Sequence, residues 1–535
     1  MKVRNLFSFK KNVTVTVIFG AIFSLIGLAI PGNAIAGTGA KTSVTWAITY
    51  SVNSLDPGLT YDSAGNNYVT YSICDSLMRY SSNLSVLKPG IASTVVQTSP
   101  TTYVYKLRPE AKFWDGNKVT AEDVAFSLNR VLDPKLASPL LSLVQAANFK
   151  LAKVTGPSEV TVTLTSPNPI AQWLGASPAG QIVEQSIVKK YGSAFGTAAD
   201  KIMCSGPYKP VSYVKGDKTV IQKFKGYWDS SVNPKITEVT FREVPNTADI
   251  VAGLRSGAID GTFDLTARDA RSVESVPTLR VTVTPGPFIN YLAPNFKKGP
   301  FSHLEVRQAF SMALDRAGMA SAIDGPDGKA LRGAVQPGLA TFSKSLFDAA
   351  DKALPVSDKP DIAKAKALLT KSGFAGSTVT IMVLSGTVSD ILAAGYQSAG
   401  SKIGLKVKVI KASSSDFFAE AFSGKYPRTY DAMSIFFAPD IPDPSGLLVP
   451  PYASQFANQQ GFASSAYEAL KKQWSGSKNG SVEQAQALIN MENMITNQQV
   501  TIPLNVSPLT MVTGKWMTGY VPTILYYYQN FMASM

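Results

Sequence analysis

Histidine is almost missing from this 535-residue chain: there is one, His303, alongside two cysteines, Cys74 and Cys204. One imidazole excludes a zinc site built from histidines, and two thiols add little to such a set. A Ser–His–Asp or Cys–His arrangement would have to use His303. That residue sits in Pro300-Phe-Ser-His-Leu-Glu-Val-Arg307, just before a helical pattern, a setting that suits a helix start or a surface position better than a general base. P-loop, GxGxxG and GxSxG patterns are absent. Ser85-Val-Leu-Lys88 and Ser186-Ile-Val-Lys189 match S-x-x-K, but the S-D-N and K-T-G partners are missing. Charged residues make up only 16% of the chain, and the formal charge of +14 is scattered singly rather than gathered into a Lys/Arg run. Nucleic acid is therefore not an expected partner. Beyond the first forty residues no segment is long and apolar enough to cross a membrane. These absences predict a chain that is not an enzyme and carries no metal and no cofactor.

What is present is a leader and a large body. Lys2, Arg4, Lys10 and Lys11 precede an uncharged run from Asn12 to Ala40 with an apolar core from Val13 to Ile30. Pro31-Gly32 breaks that run, and Ala34-Ile-Ala36 has the small-residue spacing of a cleavage site, so residues 1–36 read as a signal peptide. The alternative is an uncleaved anchor, since about eighteen residues span about 27 Å as a helix. Hydrophobic content of 45% excludes a mainly disordered chain. The mature length exceeds what one core usually supports, so two or more lobes are expected. Export raises the question of a disulfide between Cys74, in a segment that reads as helical (Ser72–Tyr80), and Cys204. Sequence leaves open whether their Cα atoms come within bonding range.

The most informative stretch is Tyr103–Val124, YVYKLRPEAKFWDGNKVTAEDV. Tyr103, Tyr105 and Leu107 alternate with polar neighbours or small apolar ones, predicting a half-buried strand. Trp114-Asp-Gly-Asn117 supplies a turn. Thr120-Ala-Glu-Asp123 has the form of a capping box, opening a helix of about twelve residues that stops at Asp133-Pro134. Taken together this string resembles the "LR…vkF-DG-plTAeDV" signature of family 5 extracytoplasmic solute-binding proteins, the peptide- and nickel-type receptors of ABC importers. The resemblance continues in order: Ser54-Leu-Asp-Pro57; Gly206-Pro-Tyr208 with Tyr227-Trp228; Ala248–Asp260, a short amphipathic helix ending at Gly257; Val306–Arg316; and Asp361–Leu369, closed by Ser372-Gly373. Each piece reads first as scaffold.

The resemblance implies an α/β, two-lobed periplasmic-binding-protein fold (type II, cluster C-like) with an extra subdomain in lobe one and two crossing hinge strands. By that analogy residues 37–75, 200–285 and 500–535 form the core of lobe one, 76–199 the extra subdomain and 286–499 lobe two. Val500–Asn505 alternates apolar and polar residues and is expected to cross half-buried. Both cysteines would fall in the first lobe, which makes their pairing plausible.

The expected ligand contact is Tyr430–Pro444, similar to the family's "yD..l.gW..D..dP" segment. In peptide-binding members the aspartate four positions before that proline pairs with the ligand's α-ammonium, and Asp440 stands there. The physics agrees: an enclosed ammonium needs a carboxylate partner, because burying either charge alone costs several kcal/mol. A turn carboxylate serving its own loop is the other reading of Asp440. Phe437 replaces the family's tryptophan and offers an aromatic wall; strand alternation sends one of Phe436 and Phe437 to the cleft and the other to the core. Dipeptide-binding members hold the ligand carboxylate with an arginine that has no counterpart in Ile381–Asp390, so a tight dipeptide clamp is not expected. Nickel-type binding fits poorly with a single, distant histidine. The expectation is a monomeric, periplasmic or otherwise extracytoplasmic receptor that binds peptides and delivers them to ABC permease subunits. A sensor or chaperone-like envelope protein on the same fold, or a secreted hydrolase, are the alternatives.

Overall fold

The computed structural model describes residues 41–60, 64–84, 86–286, 288–336, 338–421, 428–449, 458 and 460–535. The leader assigned to residues 1–36 lies outside them. Residues 41–535 form one compact unit built on two large sheets. The first has seven strands in the order Leu279–Thr284, Leu509–Gly514, Gly261–Thr262, Ser43–Ile48, Glu238–Glu243, Lys218–Lys223 and Tyr208–Val214. The second has six, in the order Lys329–Ala330, Ile502–Val506, Ile289–Pro294, Ala432–Phe437, Thr378–Leu384 and Lys406–Ala412. A four-stranded antiparallel sheet, Ala92–Ser99, Thr102–Leu107, Glu159–Leu164 and Phe149–Gly156, forms the extra subdomain of the first lobe.

Local chemistry explains the elements. Thr378–Leu384 alternates buried Val379, Ile381 and Val383 with partly exposed neighbours, as a strand with one face on a core must. The expected capping box is present: Thr120 Oγ1 accepts from the Asp123 N–H at 3.1 Å and Asp123 Oδ2 accepts from the Thr120 N–H at 3.1 Å. Helix Ala121–Asn129 follows, continued by a 3-10 turn at Arg130–Leu132. Helix Thr247–Ser256 ends at Gly257, whose φ of 77° is left-handed and costs glycine little.

The chain crosses between the large sheets twice, between Thr284 and Ile289 and between Val506 and Leu509. The crossings touch: Ser507 N donates to Phe288 O at 2.9 Å, and a Cβ at Gly286 would overlap the Ser507 carbonyl oxygen. Only glycine tolerates so close an approach. The return crossing comes later than the sequence suggested, because Ile502–Val506 is a member of the second sheet, paired with Ile289–Pro294 and Lys329–Ala330. Ile502, Pro503, Leu504 and Asn505 are all buried there. The half-buried expectation fails because a strand between two others, with packing on both faces, has no solvent side.

One local expectation is corrected outright. The helix read over Ser72–Tyr80 stops at Ile73, and Met78–Tyr80 is a strand. Non-local backbone bonds override the helical pattern: Ile91 N donates to Ser76 O, Leu77 N to Gly180 O and Met78 N to Gly175 O, at 3.0, 2.9 and 2.8 Å. The extra subdomain is tied down at its base. Cys74 and Cys204 are disulfide-bonded with Cα atoms 4.8 Å apart. Arg130 also grips Asp56 of the Ser54-Leu-Asp-Pro57 motif with two bonds of 2.8 and 2.7 Å.

Candidate ligand-binding site

Asp440 follows the strand Ala432–Phe437, in a turn stiffened by Pro439, Pro442 and Pro444. Its side chain is buried, 8% exposed. In the same turn Asp443 Oδ1 accepts from the Ser445 N–H at 2.7 Å, and burial raises the Asp443 pKa. Asp440 is bonded from the body carrying the first sheet. Tyr528 donates to Asp440 Oδ1 at 2.7 Å, Tyr527 donates to the Pro439 carbonyl at 2.8 Å, and Tyr80 donates to the Asp440 carbonyl at 3.4 Å.

These phenols belong to an aromatic layer. Tyr80 stacks on Trp173 at 5.9 Å, Tyr71 lies 5.7 Å from Tyr528, and Tyr527 and Tyr528 meet edge-on at 4.4 Å. Burial, reinforced by the negative charge of Asp440, pushes the pKa values of Tyr80 and Tyr527 upward. Both therefore stay protonated donors at neutral pH. The layer is anchored on its far side by Tyr526. Its hydroxyl lies 3.3 Å from that of Tyr68, which donates to Asp264 Oδ1 at 3.3 Å. The Thr49 N–H and hydroxyl hold Asp264 Oδ2 at 2.7 and 3.0 Å, while burial raises the Asp264 pKa.

Phe436 and Phe437 diverge as alternation requires. The Phe436 ring lies 6.3 Å from Phe288, which is itself 6.3 Å from Tyr527, so Phe436 joins the aromatic layer. Phe437 lines a small cavity inside the second body with Ile289, Tyr291, Leu331 and Leu447. The Ile381–Asp390 segment, without an arginine, supplies a carboxylate, and Asp390 pairs with Lys411 at 2.7 Å. His303 precedes helix Leu304–Ala313 and packs on Phe374 at 4.5 Å. Among the described residues no group of three or more His, Cys, Asp or Glu is arranged to hold a metal.

Sequence reasoning missed the C-terminal contribution. Tyr526-Tyr-Tyr528 lies outside any periodic element, and its 3-10 turn is too short to carry a pattern. The signal available was compositional: three consecutive tyrosines with Phe531 close behind, in a chain that is 10% aromatic.

Comparison with known proteins bears on the family and the fold. Residues 86–459 match the family described as bacterial extracellular solute-binding proteins, family 5. The glutathione-binding protein GsiB of Pectobacterium atrosepticum is 25% identical over 377 residues, 69% of each chain. The periplasmic oligopeptide-binding protein OppA of Salmonella typhimurium is 29% identical over 245 residues, 43% of this chain and 45% of that one. The structure of the periplasmic binding protein DppA from Helicobacter pylori, in complex with the peptide STSA, superposes with a TM-score of 0.78 at 20% identity, covering 91% of this chain and 97% of that one. The two-sheet fold, the extra subdomain and the family match together carry one conclusion: this chain belongs to family 5 of the bacterial extracellular solute-binding proteins.

Proposed function

We propose that this solute-binding protein is the peptide receptor of an ABC importer and works outside the cytoplasm. The observation that carries the reading is the buried carboxylate of Asp440, held where the two sheet-bearing bodies meet. A carboxylate enclosed among aromatic rings is matched by an ammonium, and the free amino terminus of a peptide brings one. The relatives point the same way, being named for glutathione and oligopeptides. Ligand enters between open lobes, its ammonium meets Asp440, Phe436 gives its neighbourhood an aromatic wall, and contacts from both sides stabilise the closed form. The crossings at Gly286 and Ser507 absorb the change. Closure then presents a surface to the permease subunits, whose partner ATPase supplies the energy. The protein binds without chemistry and works as a monomer; residues 1–36 are its export signal.

A thermal-shift screen across di-, tri- and longer peptides, oligosaccharides and metal chelates tests this reading. Peptides are expected to raise the melting temperature and to be recovered intact by mass spectrometry. Stabilisation by sugars or chelates alone, or cleaved peptide, would contradict it.

A further inference from the structure

Two hydrogen bonds on the Pro439–Asp440 turn come from one small piece of the other body. Tyr527 and Tyr528 are adjacent in sequence, and they take two successive residues of the turn: a backbone carbonyl and a carboxylate oxygen, at 2.8 and 2.7 Å. A pair of donors in that register holds both the path and the side-chain direction of the turn, as a bidentate contact does. The pair is itself braced, since Tyr526 is tied through Tyr68 to the buried Asp264. Tyr80 adds a longer bond to the same turn. The strand Ala432–Phe437 that carries the turn belongs to the second sheet, whereas Tyr526–Tyr528 follows Leu509–Gly514 of the first. The contact therefore joins the two bodies through protein groups, beside the first crossing, whose Phe288 ring lies 6.3 Å from Tyr527.

We propose that Tyr527 and Tyr528 form a clasp across the lobes: without ligand they draw the lobes together, and they position Asp440 for the group it receives. As positioning residues they act through Asp440, so the second half of this inference rests on the reading of Asp440 given above. The first half does not, because both hydrogen bonds join protein groups. Its hydrogen bonds are each of modest net worth. That suits a contact that must open and reclose.

The test uses Tyr527→Phe/Tyr528→Phe, which removes two hydroxyls and keeps both rings. Small-angle scattering of the ligand-free protein is expected to show a larger radius of gyration for the variant than for wild type. Tyr528→Phe alone, the milder change, is expected to shift it in the same direction. Calorimetry with trialanine and with N-acetyl-trialanine reads the second half: Tyr528→Phe weakens the free-amino peptide about fivefold and leaves the acetylated one unchanged. An unchanged radius of gyration in both variants overturns the clasp, even if Asp440→Ala still abolishes peptide recognition. An expanded ligand-free protein in which Asp440→Ala leaves trialanine affinity intact keeps the clasp and removes the Asp440 reading. Equal weakening of both peptides by Tyr528→Phe overturns the positioning role.

Discussion

Replacing both cysteines, as Cys74→Ala/Cys204→Ala, tests how the extra subdomain is held. The bond spans 130 residues of sequence, and the loop it closes contains the whole four-stranded sheet and the helix Ala121–Asn129. In the chain-entropy account a cross-link of that span restricts the unfolded chain by about 5 kcal/mol, and removal of native disulfides costs about 2–5 kcal/mol in practice. Both side chains are fully buried, 1% and 0% exposed, so the lost sulfur packing adds to the cost. The base does not fall open entirely, because Arg130–Asp56 and the bond from Trp114 N to Cys204 O at 3.1 Å remain. Urea unfolding followed by tryptophan fluorescence is expected to give a loss of about 3–5 kcal/mol. Limited proteolysis is expected to cut within residues 76–199 first. A loss below about 1 kcal/mol, or first cuts in the second lobe, would refute the view that this bond clamps the subdomain's base.

Asp56→Ala leaves the Arg130 guanidinium, 10% exposed, without its bidentate partner; a loss of about 3–5 kcal/mol is expected, and Asp56→Asn/Arg130→Met should recover most of it in a double-mutant cycle. Glu492 is buried, accepts from the Val335 N–H at 3.0 Å, and has its pKa raised to about 7 by burial and then by Asp351. Because its folded pKa lies above its unfolded value, its protonation stabilises the fold fully below about pH 4.5. That contribution disappears as pH rises through about 7. The shift corresponds to about 3 kcal/mol, so melting temperatures taken from pH 5 to 8 should fall less steeply for Glu492→Gln; parallel curves would contradict this. Gly286→Ala should lower the melting temperature, since its methyl group meets the Ser507 carbonyl; an unchanged value would show that the crossing segments are not so closely packed.

Much of the fold was legible because its signals are local. The Thr120–Asp123 capping box and Gly257 act within a turn of chain, and the structure has both where the residues suggest. Long-range pairing was not legible. Met78–Tyr80 pairs with Leu87–Pro89 and is fixed by bonds from Leu77 and Met78 to Gly180 and Gly175, about 100 positions away, and Ile502–Val506 stayed with the second sheet because of partners near 290 and 330. The site divides the same way. Asp440 could be located through a proline-rich motif, whereas Tyr80, Tyr527 and Tyr528 reach it from 360 and 88 positions away. No local pattern encodes such a meeting.

The central claim is that the Asp440 carboxylate receives a ligand's ammonium. Its most direct test is calorimetric titration of wild type and Asp440→Ala with a peptide bearing a free amino terminus and with the N-acetylated form. Wild type is expected to bind the free-amino peptide more tightly, and Asp440→Ala to lose at least tenfold, about 1.4 kcal/mol, while the acetylated peptide binds both proteins alike. Equal affinity of wild type and Asp440→Ala for the free-amino peptide would contradict the claim.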